Sequence, residues 1–200
     1  ISLVGAALAL ADRAVVSIFV NPTQFAPHED LARYPRDEAG DVAKLTGAGA
    51  HLVWIPAIED IYPAGFATRL EVEGAALPLE GAFRPHHFGG VATVVCKLLM
   101  SAMPDMAVFG EKDFQQLAVI RQMVRDLVVP VAVRGVPTVR EHDGLALSSR
   151  NAYLDADERH IAPMLYKAIS DVARGRDPAD AANALLAAGF SKVDYIEVRD

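Results

Sequence analysis

The sequence predicts an α/β protein: a parallel sheet with helices, followed by a second, smaller domain. Three observations predict it. Ala14-Val15-Val16-Ser17-Ile18-Phe19-Val20 is a nearly continuous apolar run rich in β-branched residues, as expected of a central parallel strand. Ala107-Val108-Phe109, then Gly110, then Gln116-Leu117-Ala118-Val119-Ile120 reads as strand, glycine turn and helix start. The chain closes on helix, helix and an alternating strand, which departs from that β/α order and marks the second domain. The boundary falls at Gly135-Val136-Pro137, giving domains at 1–137 and 138–200.

Two hundred residues, 52% hydrophobic and 22% charged, suffice for a sizeable core. A net charge of −7 argues against wholesale nucleic-acid binding, while a small anion needs only a local basic pocket. Cys96 is the one cysteine, which excludes a disulfide framework or zinc cluster and suits a reducing compartment. No stretch has the length and apolarity of a membrane span. The apolar start, Ile1 to Leu10, lacks a basic leader and is a poor signal peptide.

In chain order, residues 2–11 read as a helix with Leu3, Ala6, Ala7 and Leu10 on its inner face. The strand at Ala14–Val20 stops at Asn21-Pro22, a strong breaker. Asp37–Ala48 is an amphipathic helix with Val42 and Leu45 inward, closed by Gly47 and Gly49. His51–Pro56 is the next strand, Glu59–Gly65 a turn, and Leu70-Glu71-Val72-Glu73 alternates like an edge strand. Leu79 to Gly90 reads as a loop, and residues 90–102 as a buried helix carrying Cys96. Gln115–Leu127 is a helix, and Val128–Val133 a strand. Helices follow at Asp155–Ala173 and Asp177–Ala188, with a one-sided strand at Val193–Val198.

Ligands of open α/β sheets sit at the carboxyl ends of the strands, so three loops are candidates. In Gly110-Glu111-Lys112-Asp113, Gly110 admits close backbone approach, Asp113 is placed to cap the next helix, and Lys112 suits phosphate oxygens. A merely solvated charged loop explains the same four residues equally well. In Asn21-Pro22-Thr23-Gln24-Phe25, Asn21 and Gln24 can orient a small polar ligand, although a lone loop glutamine is more often solvated. Arg84 can pair with a carboxylate or phosphate. His86 and His87 read as loop packing and capping rather than metal ligands, because no third ligand accompanies them. In Leu147-Ser148-Ser149-Arg150-Asn151, two hydroxyls and a guanidinium form a plausible anion clamp, or a simple cap for the helix near Asp155.

Together these motifs resemble the pantoate–β-alanine ligase family. The resemblance is carried by Ser17-Ile18-Phe19-Val20-Asn21-Pro22-x-Gln24-Phe25, Asp30-Leu31-x-x-Tyr34-Pro35-Arg36, Leu79-Glu80-Gly81 with Arg84-Pro85-x-His87-Phe88, Gly110 to Gln116, and Asp143 to Asn151. It runs in order over essentially the whole chain. It implies a Rossmann-like parallel sheet with helices on both faces, plus a smaller C-terminal α+β lid domain that is incomplete here. The implied reaction adenylates pantoate with ATP and Mg2+, then forms the amide with β-alanine. Implied phosphate-stabilising residues are Lys112, Ser148, Ser149 and Arg150. The implied nucleotide site is Gly110, Glu111, Lys112, Asp113, Val139 and Leu147 to Arg150. Gln24 and Gln116 are the implied pantoate contacts, with Asn21 and Arg84 in the same cleft. The resemblance further implies a cytoplasmic homodimer.

The family's Pro-Thr-Met-Gly and His-x-Gly-His segments would precede Ile1, and its last lid strands would follow Asp200. The native protein is expected to carry both. The apolar helix at 2–11 implies a buried partner. Two other readings stay open on the residues. One is a nucleotidylyltransferase of the same superfamily acting on a phosphorylated metabolite. The other is a catalytically incomplete nucleotide-binding fragment.

Overall fold

The computed structural model describes residues 1–26 and 29–199. It divides into two compact units, Ile1–Pro137 and a second from Thr138 onward.

In the first unit, β1 (Val15–Ser17) pairs parallel with β2 (Leu52–Trp54), in register Val15 with Leu52 and Ser17 with Trp54. The helices α1 (Ser2–Leu8) and α2 (Glu38–Gly47) bury Val4 and Leu45 against Val16, Ile18 and Val53. Asp37 caps α2 by accepting from the Gly40 amide at 3.0 Å. The inward face of α1 is Val4, Ala7 and Leu8 rather than the expected Leu3 and Leu10, which are exposed. The helix is so short that its register on the sheet is set by Val4, buried beside Ala14.

A short helix, α3 (Ile58–Ile61), occupies part of the expected Glu59–Gly65 turn. The loop expected at 79–90 is largely helical: α4 (Glu80–Phe83) leads directly into α5 (His87–Ala102). After α5 comes β3 (Met106–Gly110), then α6 (Phe114–Asp126) and β4 (Ala132–Val136), with β3 and β4 parallel from Met106–Ala132 to Gly110–Val136. The main core joins Val91, Ala92 and Leu99 of α5 to Ile120 and Met123 of α6, over Ala107, Phe109 and Val133. Cys96 packs at the edge of this core, and burial pushes its thiol up from 9.0, as expected of a packing residue.

Two expected strands of this unit differ. Leu70 and Val72 do turn into the core, but their segment has no ladder, because the Leu70 amide donates to Thr93 Oγ1 of α5 at 2.9 Å. The strand expected at Val128–Val133 begins at Ala132. Val128 adopts φ +53 at the end of α6 and the Val129 amide returns to the Val124 carbonyl, so helix termination takes up those residues.

In the second unit, an antiparallel bridge between Arg140 and Ala146 opens a hairpin with Gly144 at φ +95. The helix expected over Asp155–Ala173 is two, α7 (Ala156–Ile161) and α8 (Met164–Ala173), because Pro163 interrupts it. Asp155 and Glu158 form a capping box on α7. With α9 (Pro178–Ala187), α8 buries Ala168, Val172, Ala181 and Leu185. Val193 and Ile196 pack on that cluster without forming the expected strand.

Candidate active site

Parallel strands end in a row of unpaired backbone groups, and the loops after β1 and β3 build on those ends. Asn21 follows β1, is 3% exposed and is fully bonded within the protein. Its Nδ2 donates to the Gly90 carbonyl at 3.1 Å and to Gln24 Oε1 at 3.2 Å. Its Oδ1 accepts from Tyr62 Oη at 2.7 Å and Thr23 Oγ1 at 3.0 Å. Burial pushes the Tyr62 phenol above its ordinary 10.0, against the opposing bonds to Thr23 and Asn21, so it stays a neutral donor. Because Asn21 holds Oε1 of Gln24, the Nε2 amide of Gln24 is the group left to donate to a ligand. A Cβ on Gly90 would lie 2.6 Å from the Thr23 carbonyl oxygen, which is why α5 carries glycine where it meets this turn.

The Gln24 carbonyl accepts from Arg84 Nη2 and from His87 Nδ1, each at 3.1 Å. Arg84 also donates through Nε to Glu29 Oε1 at 2.8 Å, through Nη2 to Glu29 Oε2, and through Nη1 to Glu80 Oε1 at 3.0 Å. Asn21 and Arg84, expected as substrate contacts, therefore have protein partners and hold Gln24 in place. Burial, then the Arg84 charge, lowers the His87 pKa below 6.5, against the Gln24 carbonyl and the two glutamates. The unfolded chain thus binds the His87 proton more readily, and stability falls as pH drops below about 6.5 toward the folded pKa. Urea midpoints measured from about pH 7.5 to about pH 5.5 should show a slope that shrinks in His87→Asn, which keeps a donor near Nδ1 without titrating.

At the β3 end, Gly110 has an ordinary φ of −74, and nothing lies within 4 Å of a Cβ built on it. Neither conformation nor packing demands glycine there, so the missing side chain leaves open space at the strand tip. Glu111 folds back, its Oε1 2.7 Å from a Cβ built on Gly135 of β4. Lys112 Nζ meets Asp113 Oδ1 at 3.2 Å, a solvent-exposed pair that gives way readily to a stronger anion. Asp113 occupies the cap position of α6 but bonds no backbone amide there, contrary to expectation, because its carboxylate faces Lys112. Gln116 is half-buried in the first turn of α6.

Gln115 had no assigned role in the sequence. Its Nε2 donates to the carbonyls of Ala75 at 2.9 Å and Pro78 at 2.6 Å, and its Oε1 accepts from the Glu80 amide at 3.2 Å. Glu29, Glu80 and Tyr62 were also missed. Glu80 lies in a quoted motif and sits four residues before Arg84, which was a usable signal. Tyr62 lies 41 positions from Asn21, and no local pattern could pair them.

In the second unit, the Leu147 amide donates to the Val139 carbonyl at 3.0 Å, closing the hairpin beneath Ser148-Ser149-Arg150. Ser148 caps the 3₁₀ turn Ser149–Tyr153, its Oγ accepting from the Arg150 amide at 3.3 Å. Asn151 Nδ2 ties that turn to the Ala146 carbonyl at 3.0 Å. The Arg140 guanidinium lies 3.7 Å over the Tyr166 ring, and Arg159 bonds Asp143 at 2.6 Å, fastening the hairpin to α8 and α7. The first unit thus gathers Asn21, Gln24 and Arg84 into one cluster and carries Gly110 to Asp113 and Gln116 at the next strand end. Val139 and Leu147 to Arg150 share one loop of the second unit.

Parallel strand ends bearing a bare glycine, a loosely held lysine and a fixed glutamine amide place the chain among α/β enzymes that bind ligands at strand tips. The chain belongs to the pantoate–β-alanine ligase family, whose model matches residues 1–200. It is 58% identical to the pantothenate synthetase of Paramagnetospirillum magneticum and 53% identical to that of Rhodospirillum rubrum, covering 100% of this chain and 73% and 74% of those proteins. Among solved structures it is similar to the pantothenate synthetase of Thermus thermophilus (TM-score 0.86, 52% identity, 94% of this chain and 70% of that one). It is also similar to pantoate-beta-alanine ligase of Francisella tularensis complexed with beta-gamma ATP and beta-alanine (TM-score 0.91, 36% identity, 100% of this chain and 76% of that one).

Proposed function

We propose that the chain joins pantoate to β-alanine at the expense of ATP, through a pantoyl-adenylate. The observation that carries this reading is the family match over residues 1–200, which takes in both strand-end loops and the serine–arginine turn. A carboxylate attacking a triphosphate brings negative charge toward negative charge, so cations and preset donors lower the barrier. Lys112, Ser148, Ser149 and Arg150 serve the phosphates. Gly110, Glu111, Asp113, Val139 and Leu147 frame the nucleotide. Gln24 and Gln116 hold pantoate, with Asn21 and Arg84 positioning Gln24.

The residues 1–137 act as the nucleotide- and pantoate-binding domain, and 138–200 as the lid domain. Among the described residues no group of three or more metal-binding side chains occurs, and the carboxylates at the Gly110 turn face Lys112 or Gly135. Magnesium is proposed to arrive on the ATP phosphates as part of the substrate. No helix among the described residues is long and apolar enough to cross a membrane. A cytoplasmic homodimer is the assembly we propose.

Exchange of labelled pyrophosphate into ATP tests the reading. Exchange that depends on pantoate, and β-alanine-dependent release of AMP, are expected. Exchange driven instead by a phosphorylated metabolite would overturn it in favour of a nucleotidylyltransferase.

A further inference from the structure

We infer that Glu29 is a positioning residue for pantoate, acting through Arg84 on the turn that presents Gln24. The inference rests on the proposed role of Gln24 as a pantoate contact.

A guanidinium is planar, so fixing two of its N–H groups fixes the direction of the others. Glu29 takes the Nε and Nη2 edge of Arg84 with both carboxylate oxygens. The remaining hydrogen on Nη2 is thereby aimed at the Gln24 carbonyl, 3.1 Å away. Glu80 cannot set this direction alone. It sits on α4 with Arg84 as a four-residue neighbour, and moves with the same short helix. Glu29 instead follows Gln24 in the chain by five residues, so Arg84 bonds the chain at two points, Gln24 and Glu29.

The side chains of Arg84 and Glu29 are 25% and 20% exposed, which keeps the fork from competing freely with water. Burial pushes the Glu29 carboxyl up, and the Arg84 bond and charge, with the Ala26 backbone, outweigh it and hold it below 4.5. A carboxyl held below 4.5 is ionised at neutral pH. Without it, Arg84 is free to turn toward Glu80 alone, and His87 becomes the sole side chain on the Gln24 carbonyl. Gln24 then keeps its chemistry and loses its address.

The test is pantoate-dependent pyrophosphate exchange with Glu29→Ala, Glu29→Gln, Gln24→Ala and the Gln24→Ala/Glu29→Ala double variant, with thermal melts to confirm folding. Glu29→Ala should raise the pantoate KM about five- to tenfold while the ATP KM stays within about twofold. Glu29→Gln, which keeps one acceptor, should recover part of that loss, and it carries the test if the alanine variant does not fold. In the Gln24→Ala background, Glu29→Ala should add no further rise, because the two act on one contact. A wild-type pantoate KM in both Glu29 variants, equal rises for pantoate and ATP, or additive losses in the double variant would overturn the inference. No pantoate-dependent exchange in the unmodified protein, or none of the pantoate effect in Gln24→Ala, would instead overturn the functional reading and the inference with it.

Discussion

Replacing Lys112 with alanine should lower pantoate-dependent pyrophosphate exchange by about a hundredfold or more, about 3 kcal/mol of barrier, while pantoate affinity stays within about twofold. The physical reason is when the charge is needed. In the resting protein Lys112 is 38% exposed and lies 3.2 Å from Asp113, a pair worth little in water. Adenylation adds negative charge to the already anionic phosphates, and there an ammonium released from Asp113 stabilises the transition state more than the ground state. On the proposed function pantoate is held elsewhere, by the Gln24 and Gln116 amides. Quench-flow adenylation and calorimetric pantoate binding separate the two effects. A variant with unchanged turnover would remove Lys112 from the phosphate site.

Arg84→Leu should be the most damaging change to stability outside the apolar core. It leaves the Glu29 and Glu80 carboxylates without their shared guanidinium and the Gln24 carbonyl one donor short. Breaking a fully buried pair from one side costs about 3–5 kcal/mol, and the residual exposure here brings the expected loss to about 2–3 kcal/mol. The same variant should raise the pantoate KM at least about tenfold, since the Gln24 carbonyl keeps only His87 as a side-chain donor. Urea unfolding and steady-state kinetics measure both. An unchanged midpoint would mean that water already solvates the two carboxylates.

Local patterns made the strand ends legible. The strand into Gly110 and the helix after it follow from apolar periodicity and one breaker, and both stand where the pattern puts them. The same reasoning failed wherever a distant partner decides. Leu70 and Val72 alternate like a strand and do face inward, but a threonine hydroxyl on α5 takes the amide that a ladder would need. Val128 looks like strand and serves as the end of a helix, a choice set by the Val129 return bond. In the site, Arg84 was visible as a cation, whereas its engagement by Glu29 depends on a pairing 55 positions apart. Asn21 was visible as polar, and only burial shows that its amide serves the fold.

Gln115 joins the helix that follows the Gly110 turn to the segment that leads into Arg84. It sits at the start of α6, beside the Gly110 turn, and its amide clasps the segment from Ala75 to Glu80 that leads into Arg84. Under the proposed function it would act as a spacer bar, cutting the gap between the triphosphate's berth and the hydroxy acid's berth to length when the polypeptide folds. The reactants would then meet at a preset separation, with little freedom of motion left for them to surrender on arrival.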